Sequence, residues 1–184
     1  KCGEMKIVMF SINPLYPDRG TGGASKNLFS IACHLGSLGH QVDILCAKTK
    51  NTLAQFELCD GVIVYPILPF HLPFPQPYAI GGPDLALIAA RISEALQNAD
   101  RFYIHDGEWL IPDVYQEIPT TISFRDNIYP ESVLGSFIGK ADDVICVSAY
   151  SRSVIEYTAG QFFPDLRERI HLVNNGIDLD QFQP

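Results

Sequence analysis

Short apolar runs alternating with amphipathic helical stretches set the tightest limit on how this chain folds. "KIVMFSI" (6–12) is dense in β-branched and other apolar residues with no polar alternation, as in a strand buried on both faces of a parallel sheet. "ASKNLFSIACHLGSLG" (24–39) puts Leu28, Ile31, Ala32 and Leu35 on one helical face, and Gly39 stops it. "QVDILCA" (41–47), "GVIVYPI" (61–67), "RFYIHD" (101–106), "TTISFR" (120–125), "DDVICVS" (142–148) and "RIHLVNN" (169–175) read as further strands. "PDLALIAARISEALQNA" (83–99), with Leu85, Ile88, Ile92 and Leu96 on one face, and "AYSRSVIEYTAGQ" (149–161) read as helices, with shorter helical candidates near 109–117 and 130–140. Such alternation implies βαβ units, right-handed crossovers and an α/β, Rossmann-like parallel sheet with helices on both faces. Ligands of such sheets sit beyond the carboxyl ends of the strands. The segments to read for function are therefore 13–23, 105–109, 125–129 and 148–152.

The proline-dense stretch 66–83, "PILPFHLPFPQPYAIGGP", excludes regular structure. Its Phe, Leu and Ile would have no use in a solvated linker, so an ordered loop packed on the domain is expected. Length and composition fit one domain with a full core: 184 residues, 47% of them hydrophobic. A formal charge of −8 argues against general nucleic-acid binding and against an anionic membrane surface. No apolar run approaches the roughly 18 residues of a membrane span. "KCGEMKIVMF" lacks the layout of a secretory signal, and Met5 is a candidate native start. Cys2, Cys33, Cys46, Cys59 and Cys146 are odd in number, spread out and never C-x-x-C. They are expected to be small residues of a reduced, cytoplasmic protein rather than metal ligands or disulfides. No His, Cys or carboxylate cluster has metal-ligand spacing.

"PDRGTGGASKN" (17–27) is the one glycine-rich loop with a phosphate-binding look. As a P-loop it fails twice: Ser25 stands at the second glycine and Asn27 at the magnesium-binding Ser/Thr. As a dinucleotide fingerprint it lacks the third glycine, again at Ser25, and lies too far beyond Ile12. The second strand also ends in "CAKTKN" without the expected acidic residue. A third reading is a long loop whose Gly22–Gly23 pair opens a helix, turning backbone N–H groups and the positive helix end toward the cleft. Equally, the two glycines only shape a tight turn.

Four further segments bear on that choice. "MKIVMFSINPLYPDRGTGGASKNLFSIACHLGSLGHQVDIL" resembles the opening of the retaining GT-B glycosyltransferases of the group 1, glycosyltransferase family 4 type, which are glycogen-synthase-like. In that family a first strand leads to a Gly-Gly loop (here Gly22–Gly23), an apolar helix and a Gly-His turn (here Gly39–His40). "RFYIHDGEW" is similar to the family's strand ending in His-Asp, and "DDVICVSAYSRSVI" to its strand–serine–helix segment. "RIHLVNNGIDLDQFQP" is similar to its linker into a second domain and is the most specific of these matches. The resemblance spans nearly all of residues 5–184. It implies an N-terminal half of a GT-B fold over 1–174, with 175–184 starting a linker to a C-terminal donor-binding domain.

The resemblance implies a metal-independent enzyme without a cofactor. It would move a sugar from a nucleotide sugar to a sugar or glycan acceptor with retention, and the fragment alone would be inactive. A GT-B sugar-nucleotide epimerase and a non-catalytic Rossmann-like binding module are the alternatives. Its partners would be the nucleotide sugar, the acceptor and its own C-terminal domain, with no nucleic acid.

Gly22 and Gly23 would approach the donor phosphate or the acceptor, since no side chain may block an N–H that must reach an oxygen. Arg125 stands where the family usually has His, so the usual sugar contact does not carry over. An arginine there either meets the leaving diphosphate or an anionic sugar, or pairs with Asp126 or another carboxylate. His105 is either an acceptor-site group or a hydrogen-bonded brace for the loops. Asp106, Glu108 and Asp126 are candidate substrate contacts at strand ends, and Trp109 is either a sugar platform or core. His40 is expected to brace its turn, Ser148 and Ser151 to cap a helix, and Lys26 to lie on a solvated helix face. No Ser-His-Asp arrangement with supporting motifs is present.

Overall fold

A computed structural model of the chain describes residues 3–18, 22–69, 82–105, 117–125, 133 and 138–176. The elements are β1 (Lys6–Ser11), α1 (Gly23–Ser37), β2 (Gln41–Ala47), β3 (Phe56–Cys59), β4 (Val62–Leu68), α2 (Gly82–Leu96), β5 (Arg101–His105), β6 (Thr120–Phe124), β7 (Asp143–Cys146), α3 (Ala149–Thr158) and β8 (Ile170–Leu172). One sheet holds all eight strands in the order β3-β4-β2-β1-β5-β6-β7-β8. Every neighbouring pair is parallel except β3 with β4. From β1 the chain winds outward through β2 and β4, then returns to the other side of β1 as β5. The switch point of this doubly wound sheet therefore lies between β1 and β5.

Alternate residues of each strand feed two cores. On one face Ile7, Met9, Val42, Ile44, Val64 and Tyr103 pack with Leu28 and Ala32 of α1. On the other Val8, Phe10, Leu45, Phe102, Ile104 and Ile122 pack with Ile88 and Ile92 of α2 and Ile155 of α3. Burial on both faces explains why the strands read as unbroken apolar runs. α1 ends where Gly39 adopts a φ of 90°, a left-handed conformation natural to glycine.

Three expectations are corrected. β3 was not foreseen: "FELC" is four residues long, antiparallel and at the sheet edge, too short for its period to stand out. Pro66 belongs to β4 rather than to an irregular loop. β3 pairs β4 only as far as Val64, so no ladder on that side asks Pro66 for an N–H. Residues 70–81, the bulk of the proline-dense stretch, lie outside the described residues.

Cys33 and Cys59 are not reduced core thiols but a disulfide, with Cα atoms 6.0 Å apart. α1 runs close against the β3–β4 turn, and a bond between residues 26 apart leaves no trace in local spacing. Cys46 and Cys146 are buried free thiols; burial pushes them up to about 12 and about 11, so both stay protonated. Cys2 lies outside the described residues. The helix expected at 109–117 lies almost wholly outside them too. Of 130–140, Ile138–Lys140 forms a single 3₁₀ turn. Among the described residues no helix is long and apolar enough to cross a membrane.

Candidate functional site

The carboxyl ends of β1 and β5 meet beside the start of α1. The loop after β1 turns away toward β2: Asn13 N–H donates to Ser11 Oγ (3.2 Å), Leu15 is buried, and the Tyr16 and Thr49 hydroxyls lie 3.3 Å apart. That leaves the β5 side of the switch point to α1. Gly22 is the N-cap and carries no side chain to occupy the first turn. The caps that exist there are internal to the turn: Ser25 Oγ and Lys26 N–H both donate to the Gly22 carbonyl, at 3.1 and 3.2 Å. A Cβ added at Gly22 or at Gly23 would meet nothing within 4 Å. Among the described residues packing does not require glycine at either position, although the φ of 158° at Gly22 is a backbone conformation that favours glycine there.

His105 is fully buried at the end of β5, and both its ring nitrogens are engaged. Nε2 lies 2.9 Å from the Ala24 carbonyl in the first turn of α1, and Nδ1 lies 3.2 Å from the Tyr103 hydroxyl. A carbonyl only accepts, so Nε2 carries the proton and Nδ1 accepts from Tyr103. Burial pushes this imidazole down to about 4; the Ala24 bond opposes that and the Arg125 charge adds to it. His105 is thus neutral near pH 7. Through these two bonds the imidazole joins the end of β5 to the first turn of α1.

Arg125 follows β6. Its Nη1 donates to Asn175 Oδ1 at 3.0 Å and its Nη2 to the Tyr103 hydroxyl at 3.5 Å. Both partners are neutral, and among the described residues no carboxylate lies within ion-pair reach of it. Among the described residues, this guanidinium at the rim of an acidic chain thus has two neutral partners and no counter-charge. Register adds a row of polar side chains below it: Ser11, His105 and Ser123 face one another on β1, β5 and β6, all buried. Ser123 Oγ, Arg125 Nε and Asn27 Oδ1 on α1 are buried atoms with no hydrogen-bond partner among the described residues. Each retains unused capacity for a polar ligand or water.

Asp106, Glu108, Trp109 and Asp126 lie outside the described residues. Gly22, Gly23, His105 and Arg125 do converge, with Arg125 joined to the helix start through Tyr103 and His105. Lys26 is exposed, Met5 N–H donates to His40 Nδ1 (3.3 Å), and Ser148 caps α3 by accepting from Ser151 N–H (3.1 Å). Tyr103, Ser123, Asn27 and Asn175 were not anticipated. Period-two spacing alone puts Tyr103 on the face of His105, and was signal enough to find it. Nothing local places Asn175 beside Arg125, 50 residues away. Among the described residues no group of three His, Cys, Asp or Glu side chains is arranged to hold a metal ion.

A doubly wound parallel sheet with a glycine-opened helix at its switch point is a Rossmann-like architecture, of the kind that forms each half of a GT-B fold. Residues 21–181 match the model of Glycosyltransferase Family 4, and the chain belongs to that family. Sucrose-phosphate synthase from Thermosynechococcus elongatus has a similar fold, with a TM-score of 0.67 and 15% identity over 98% of this chain and 50% of that one. A glycosyltransferase from Rickettsia africae aligns with a TM-score of 0.59 and 15% identity, over 98% of this chain and 45% of that one. The chain thus spans about half the length of these solved structures. No curated protein sequence matches it significantly.

Proposed function

We propose that this chain is the acceptor-side half of an enzyme that moves a sugar from a nucleotide sugar to an acceptor hydroxyl, with retention of configuration and without a metal. Family membership makes glycosyl transfer the natural chemistry. The observation that carries the reading to particular residues is Gly23 at the start of α1 beside the switch point, where neither a positive φ nor packing among the described residues demands glycine.

The chemistry asked of this half is electrostatic. As the bond from sugar to diphosphate breaks, negative charge grows on the leaving oxygens. N–H groups of the first turn of α1 and the positive end of its dipole face that charge at fixed positions. Arg125, held by two neutral groups, adds a positive charge that no carboxylate among the described residues cancels. His105 acts by holding the Ala24 carbonyl and so the helix start, not by exchanging a proton. The second half of the enzyme would bring most of the donor site, so residues 1–184 alone fold without turning over.

Kinetics of two variants of the full-length protein, beside their melting curves, test this. A Cβ at Gly23 meets no described atom within 4 Å, so stability in Gly23→Val should change by less than about 1 kcal/mol. Transfer should fall on the order of 100-fold, because a displacement of about 1 Å at a reacting centre costs that much. Lys26→Ala, on the solvated face, should be mild. Abolition of transfer by Lys26→Ala, with Gly23→Val intact, would make the loop a lysine-based phosphate site and refute the reading.

A further inference from the structure

We propose that Tyr103 is a positioning residue, tying the segment that follows β8 to the start of α1 by relaying Arg125 to His105. Four hydrogen bonds make the chain. Arg125 Nη1 donates to Asn175 Oδ1 (3.0 Å) and Nη2 to Tyr103 OH (3.5 Å). Tyr103 OH donates to His105 Nδ1 (3.2 Å), and His105 Nε2 donates to the Ala24 carbonyl (2.9 Å). Their direction is forced. The Ala24 oxygen can only accept, which puts the proton on Nε2. A neutral imidazole then accepts at Nδ1, which commits the tyrosine proton, and only an oxygen lone pair is left to meet the guanidinium. The three bonds from Arg125 Nη2 to the Ala24 carbonyl run in one sense and polarise one another, while the bond to Asn175 leaves Arg125 in the other direction; those buried beside His105 are strengthened by the low local dielectric.

The path of the chain makes this contact unusual. β8 lies on the far side of β7 from β6, and Val173 N–H still donates to the Cys146 carbonyl of β7 (2.8 Å). To meet Arg125 at the end of β6, Asn175 must pass back over the carboxyl end of β7. No sheet ladder requires that return; the Arg125–Asn175 bond holds it. Arg125 has a neutral partner on each side, Asn175 and Tyr103, and among the described residues no ion pair anchors it elsewhere. Tyr103 and His105 are both fixed on β5 by ring and backbone, and Tyr103 is the link that stands between Arg125 and the imidazole. Its hydroxyl is where a pull on residues 173–176 passes to His105 and so to Gly22–Gly23. The consequence for catalysis rests on the proposed function; the coupling itself does not.

The test is a double-mutant cycle read by ¹⁵N NMR of histidine-labelled chain, with the His105 ring signals assigned by their loss in His105→Gln. Asn175→Ala should displace the His105 Nδ1 resonance, and the same substitution in a Tyr103→Phe background should leave it still. Arg125→Gln should abolish the response as Tyr103→Phe does, which guards against an effect of the phenylalanine on packing. An Nδ1 resonance indifferent to Asn175→Ala, or displaced equally in both backgrounds, would overturn the relay. No sugar or nucleotide enters the experiment, so a failed transfer assay and a failed relay remain separate results.

Discussion

Acidification should unfold this chain by a route that runs through one histidine. The folded protein holds His105 at about 4 against an ordinary 6.5, chiefly by burial. Between those values the unfolded chain binds a proton that the native chain refuses, so stability rises with pH across that window and is lost as pH falls through it. Carrying both binding equilibria through, the loss from His105 alone between about pH 7 and about pH 5 is on the order of 2 kcal/mol. Approaching pH 4 it grows to about 3 kcal/mol. Carboxylates titrate in the same range, so the absolute slope does not isolate the effect; the comparison with His105→Gln does. Glutamine has no proton to gain, and its destabilisation should be nearly constant with pH. Urea unfolding of both proteins at about pH 7 and about pH 5 should give a gap that narrows by about 2 kcal/mol at the lower value. Equal pH slopes for the two proteins would mean that His105 titrates normally, and the buried brace would be wrong.

Two predictions concern the flank of α1. Reducing the Cys33–Cys59 bond reopens a loop of 26 residues, and chain entropy puts the loss at about 3.5 kcal/mol; chemical unfolding with and without a dithiol should show it, and identical midpoints would contradict the pairing. Gly36→Ala should destabilise despite alanine's better helix propensity, since the new Cβ would lie 2.5 Å from the Asp60 carbonyl oxygen. That contact is with backbone and cannot swing aside, so an overpacking cost of about 1–3 kcal/mol outweighs a helix gain of up to about 1 kcal/mol; a melting temperature unchanged or raised would refute the close approach.

Period and punctuation made most of the sheet legible. Runs such as "QVDILCA" and "RFYIH" need no context to be strands, because burial on both faces leaves them uninterrupted. What escaped depends on contacts between distant segments. β3 exists because β4 offers it an edge, and Cys59 finds Cys33 only once β3 is in place. Pro66 is admissible in a strand because the partner on one side stops short. At the site, the sequence pointed to Gly22, Gly23, His105 and Arg125 by their places after strands. Period-two spacing on β5 could have added Tyr103, but nothing local could add Asn175, since residues 24, 105, 125 and 175 are brought together only by the tertiary fold.

Sugar transfer is the activity proposed for the protein that contains this chain. Its most direct test is incubation of the full-length protein with nucleotide sugars and candidate acceptors in EDTA, with the anomeric configuration of the product read by NMR, beside residues 1–184 alone. Transfer that survives chelation, a product with the donor's configuration, and no product from residues 1–184 are expected. Transfer that vanishes with EDTA and returns with a divalent ion, an inverted product, or turnover by this chain alone would contradict the proposal.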